Sequence, residues 1–113
     1  MTTTLYLILL NYVRPPEEVA EHVEEHHAYL RRAYASGRFI VSGPRVPATG
    51  GVILARAASE EDAHAMIRDD PFSQRGIAEY QLIAFDALWS APAFAPLLAP
   101  ADATPDVDHS YEV

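Results

Sequence analysis

Two ionisable side chains fall where the hydrophobic pattern calls for apolar ones. In residues 15–36, Val19, Val23, Leu30 and Ala33 recur at helical spacing. At about 100° per residue, His26 lies within their stripe, with His22 and His27 toward its edges. In residues 59–70, Ala63, Met66 and Ile67 form a second stripe, which Asp70 continues at i+3 and i+4. An unpaired carboxylate there would be costly, and at a helix C-terminus it would also oppose the dipole. A histidine partner removes much of that cost. Spacing therefore pairs Asp70 with His26, and the pair admits two readings. As an acid/base dyad, Asp70 accepts a proton from one ring nitrogen and fixes the tautomer, while the other nitrogen moves a substrate proton. As a buried structural pair, it only fixes how two helices pack.

Other candidates are less specific. His22 and His26 stand at i, i+4 beside Glu25 and His27, a spacing compatible with zinc. The second position of that HxxxH lacks the glutamate of the metalloprotease pattern, so no metal is expected. Ser42, Gly43 and Pro44, read as a strand-end turn, could offer backbone N–H groups to an anionic ligand, with Arg45 as a cation. Together with Phe72 these are the expected pocket-lining residues. His64 reads as surface, and Tyr29 and Tyr34 as packing or dimer contacts. No Gly-rich phosphate loop appears, and chemistry without a cofactor is expected.

These residues need elements to position them. Residues 4–11 (TLYLILLN) form a continuous apolar run rich in β-formers, and 38–44, 52–57 and 78–85 read as three further strands. Pro15, Pro16, Glu17 and Glu18 suit the first turn of a helix that runs to about Ser36 and stops at Gly37. Ser59 caps a second helix, with Asp62 as its capping-box partner, and Pro71 ends it at Asp70. The order βαββαβ is the split arrangement of ferredoxin-like domains: a four-stranded antiparallel sheet with two helices on one face, α+β in class. "LYLILL" and "VILA" are apolar at consecutive positions, so both sheet faces want burial. Two helices cover one face. A second copy on the other face, in a homodimer, is the simplest way to cover the rest.

Composition bounds the rest. The 113 residues suit one domain, read as 1–89, followed by a Pro/Ala-rich acidic tail, 90–113. That tail is expected to be loosely docked, or to strap Phe94, Leu97 and Leu98 onto a partner subunit. A net charge of −8 argues against nucleic acid. No apolar run spans a bilayer and no signal-peptide pattern appears, so a cytoplasmic protein without membrane contact is expected. With no Cys, thiolate chemistry is excluded; all eight basic residues are Arg, so no Lys serves a Schiff base.

"HHAYLRRAYASGRFIVSGP", from His26, resembles the signature of the YCII-related family: a His opening a helix, a small "GR", then an apolar strand ending in "GP". Gly50-Gly51 before the third strand and "DDPF" at the end of the second helix extend the resemblance over residues 4–86. It implies a dimeric α+β barrel of two ferredoxin-like subunits. The family's proposed His and Asp carry over to His26 and Asp70, the pair that periodicity had selected. Family members often carry an Arg three residues before the His; Val23 stands there in this sequence, so an anionic substrate would need another cation, such as Arg45. The chemistry implied is elimination on small hydroxylated aromatics, while similar barrels host lactone isomerases, cyclases and cofactor-free oxygenases. The leading expectation is a cofactor-independent lyase or isomerase of a small phenolic or lactone-like metabolite. The alternative is a non-catalytic protein that holds such a metabolite.

Overall fold

The computed structural model describes residues 3–98. Its elements are β1 (Thr3–Tyr12), α1 (Pro16–Glu21), α2 (Val23–Ala35), β2 (Phe39–Pro44), β3 (Gly50–Arg56), α3 (Glu60–Arg68), α4 (Pro71–Gln74) and β4 (Ala78–Ala87), followed by a 3-10 segment, Pro92–Leu98. The four strands form one antiparallel sheet in the order β2-β3-β1-β4. This is the expected ferredoxin-like α+β architecture.

Strand alternation sorts β1 between two faces. Ile8 and Leu10 face the helices and share a core with Val19, Tyr29, Met66 and Phe72. The odd-numbered residues face the other way. There Leu5 is buried with Ala87 and Leu98, while Leu7 and Leu9 are half-buried and Ile83 and Phe85 are exposed. The helices thus cover one face. Residues Pro92–Leu98 cover part of the other, held by Thr3 Oγ1 donating to Leu98 O and Arg56 Nη1 donating to Leu97 O. So Phe94 and Leu98, expected on a loose tail or a partner subunit, pack on the chain's own sheet. The acidic residues beyond 98 lie outside the described residues.

Glycine is required at two positions that shape the sheet and its first helical region, besides Gly76 (φ +65°) after α4. Gly37 ends the helical region with φ +78°, a conformation L side chains rarely adopt. At Gly50 a Cβ would lie 1.8 Å from the Leu10 carbonyl oxygen, so β3 approaches β1 there only without a side chain.

Four local expectations are corrected. The first helix is broken at His22 (φ −116°, ψ 7°), with no Gly or Pro to mark the break. Residues Ser42–Pro44 lie in β2, as the strand reading of 38–44 has it, but stay in ladder register and make no turn there, with Gly43 opposite Val52 and Pro44 opposite Gly51; proline is tolerated because β2 is an edge strand. Asp62 donates its backbone N–H to Ser59 Oγ, but its carboxylate accepts from Ala58 N rather than closing the box on Ser59. Finally, α3 stops at Arg68, so Asp70 does not extend its stripe. Pro71 holds Asp70 extended (φ −72°, ψ 126°), and Asp70 caps α4 instead.

Candidate active site

The segment carrying Asp70 is a four-residue helix, too short to persist alone. Three features fix it. Pro71 opens it with φ already set. The Asp70 carboxylate accepts from Phe72 N at 3.0 Å, a cap in which the negative charge now favours the dipole. Phe72, 1% exposed, inserts into the core, a burial worth roughly 2–3 kcal/mol. At the far end Arg75 reaches Glu25 of α2 at 3.1 Å. The hydrogen bond from Arg75, with a second from His22, holds the Glu25 carboxyl below its ordinary range.

This anchored segment brings Asp70 against α2. His26 Nδ1 lies 2.9 Å from Asp70 Oδ1, and Tyr80 donates its hydroxyl to Asp70 Oδ2 at 2.6 Å. The carboxylate is completely buried and gathers three partners: a backbone N–H, a phenol and an imidazole. Phe72 N–H and the Tyr80 hydroxyl act as donors, so His26 Nδ1–H reads as the third. The neutral ring then carries its lone pair on Nε2. No hydrogen bond occupies Nε2 among the described residues, and 13% of the side-chain surface remains exposed.

Aromatic contacts fix the ring plane. Phe72 stacks on His26 at 4.2 Å between centroids and 5° between planes; Tyr29 lies 6.1 Å away at 27°. Tyr29 is anchored by donating to Met66 O at 2.6 Å. Tyr12 meets Phe72 edge-on. Burial, followed by the nearby Asp70 charge, pushes the phenols of Tyr12, Tyr29 and Tyr80 above their ordinary range. All three therefore stay protonated donors through neutral pH.

Of the residues anticipated from the sequence, His26, Asp70 and Phe72 come together. Ser42 is bonded to the Tyr34 hydroxyl, and Tyr34 lies about 12 Å along α2 from His26 at 1.5 Å per residue. Arg45 donates to Asn11 Oδ1, on the sheet face opposite Tyr12. Gly43 and Pro44 are strand residues in ladder register with β3. None of these four contacts the dyad. His22 turns to Glu25, and His64 sits exposed beside Glu60. Tyr80 went unnoticed. Alternation in β4 placed Ala78, Tyr80 and Leu82 on the helix face, and a Tyr hydroxyl directed there needs a buried acceptor.

Comparison with known proteins agrees with this arrangement of elements. A family model described as the YCII-related domain matches residues 4–86. The uncharacterized protein YjpA of Bacillus subtilis (strain 168) is 33% identical over 75 residues, spanning 66% of this chain and 88% of its own. Among solved structures, 5-chloro-2-hydroxyhydroquinone dehydrochlorinase (TftG) from Burkholderia phenoliruptrix AC1100, in complex with 2,5-dihydroxybenzoquinone, is similar with a TM-score of 0.59 and 25% identity. That similarity covers 72% of this chain and 90% of the other, a protein of the dimeric α+β barrel type. The family model spans most of the chain, and the protein belongs to the YCII-related family.

Proposed function

We propose that this protein is a cofactor-independent lyase or isomerase that moves a proton on a small hydroxylated aromatic or lactone-like molecule, with His26 as acid/base and Asp70 as its orienting partner. The observation that carries this reading is the His26 Nδ1–Asp70 Oδ1 bond of 2.9 Å with Nε2 left unoccupied among the described residues. The stack on Phe72 would stabilise a structural pair as well; what supports the acid/base reading is that it holds the ring with Nε2 unoccupied among the described residues. The similarity to a dehydrochlorinase crystallised with a dihydroxybenzoquinone supports the substrate class.

In this reading Nε2 takes a proton from an acidic O–H or C–H of the substrate. The bonding pair flows into the conjugated system. In an elimination a leaving group departs with its own bonding pair; in an isomerisation the imidazolium returns the proton at another atom. Asp70 stabilises the imidazolium formed between these steps. We also propose that a second copy covers the open sheet face around Leu7, Leu9, Ile83 and Phe85, making the functional unit a homodimer.

The test is turnover of a panel of small halogenated hydroquinones and hydroxylated lactones by the wild-type protein and by His26→Ala. General acid/base catalysis contributes roughly 10²–10⁴-fold, and His26→Ala should lose at least that much with its circular dichroism unchanged. Retained turnover would remove His26 from the mechanism. A ligand that binds without any turnover would move the protein to the metabolite-holding class.

A further inference from the structure

A second feature lies beside the dyad. A groove of about 510 Å³ runs between α2 and α3, and neither His26 nor Asp70 lines it. Its floor is apolar and buried: Phe39, Met66 and the ring of Tyr29, each under 7% exposed. Arg32 and Arg38 also line it, as does Asp69, which lies close enough to Tyr29 for its charge to help raise that phenol. Its volume is within the range of small-molecule sites, and it sets charged side chains beside a buried apolar floor.

The cations are available. In a chain with 16 acidic residues against 8 basic ones, arginines are readily matched by carboxylates. Arg14 and Arg75 are matched in this way, by Glu18 and Glu25. Arg32 forms no ion pair among the described residues. Among the described residues Arg38 forms one ion pair, with Asp62 at 3.7 Å and half exposed, a contact worth little. One guanidinium without an ion pair among the described residues and one weakly paired guanidinium thus line the same groove as the buried aromatic floor, and the planar donor geometry of arginine suits a carboxylate. Asp69 would repel a second negative group on the same ligand.

We infer that the α2–α3 groove binds a small monoanionic acid with an apolar body, its carboxylate on Arg32 and Arg38 and its body on Phe39, Met66 and Tyr29. This site is separate from the dyad, shares only the Tyr29 side chain with it, and does not depend on the catalytic reading.

The experiment is a titration of the full-length ¹⁵N-labelled protein with benzoate and, in parallel, with its neutral counterpart benzamide. Benzoate should produce saturable shift changes clustered at residues 29–39 and 66–69, with benzamide at least about tenfold weaker. Arg32→Gln combined with Arg38→Gln should weaken benzoate about tenfold or more, while the thermal midpoint stays put because neither side chain carries a strong contact. Equal affinity for benzoate and benzamide would overturn the inference. So would unchanged benzoate affinity in the double variant, a non-saturable response, or changes confined to His26, Phe72 and Tyr80.

Discussion

Tyr80→Phe removes one hydrogen bond from a buried carboxylate while leaving the ring in place. The bond it deletes, Tyr80 hydroxyl to Asp70 Oδ2 at 2.6 Å, is one of three on Asp70. Hydrogen bonds to a charged acceptor contribute roughly 1.5–3 kcal/mol, and because Tyr80 is half-buried the lower end applies: about 1.5 kcal/mol. Asp70→Asn changes the comparison. The amide still accepts through its oxygen from His26 and Phe72, and the Tyr80 hydroxyl can turn to accept from the amide nitrogen. That bond is neutral, so Tyr80→Phe should cost only about 0.5 kcal/mol in the Asn background. The coupling between the two sites is then about 1 kcal/mol. Urea denaturation of wild type, both single variants and the double variant at neutral pH measures it. If Tyr80→Phe costs the same in both backgrounds to within about 0.3 kcal/mol, the hydroxyl is not bonded to a charged Asp70 and the site geometry is wrong.

Alkaline stability follows from the same phenols. Burial and the Asp70 charge raise Tyr29 and Tyr80 in the folded state, while the unfolded chain releases these protons near pH 10. Above that pH the native state binds more protons than the unfolded one, so the contribution of these phenols should be level below about pH 10 and fall above it, by up to about 1.4 kcal/mol per pH unit for each group. Denaturation midpoints across that range check the decline, and Tyr80→Phe should make it shallower. Gly50→Ala drives a Cβ into the Leu10 carbonyl oxygen at 1.8 Å and should cost about 3 kcal/mol or more, read by thermal unfolding. Ile83→Glu charges the open sheet face at a position 39% exposed in the single chain, so the fold should survive while sedimentation velocity shows monomers in place of the proposed dimer.

Much of the fold was legible because its signals are local. The continuous apolar run of β1, the Ser59 cap, Gly37 after a helix and the paired glycines that open β3 each fix an element with a few residues. His26 and Asp70 were legible for a different reason: polar residues at apolar positions demand partners. The explanation for Asp70 needed revision. Its position continues the α3 stripe on paper, yet Pro71 withdraws it from that helix and makes it the cap of the next one. A capping carboxylate with capacity left over serves His26 and Tyr80 at once. Tyr80 was missed because a tyrosine on a strand is ordinary until the acceptor opposite its hydroxyl is known. The break at His22 leaves no mark in composition. Ser42 and Arg45 read as pocket residues because a Gly-Pro pair suggests a turn; the sheet register, a long-range property, keeps Ser42–Pro44 in the ladder of the edge strand instead.

The most direct test of the catalytic reading is a crystal structure of the full chain soaked with 2,5-dihydroxybenzoquinone, the ligand held by the similar dehydrochlorinase. The account predicts a ligand oxygen within about 3 Å of His26 Nε2, the ring still stacked on Phe72 and Asp70 still on Nδ1. A ligand bound away from Nε2, or an Nε2 closed off by protein groups with no room for one, would contradict it.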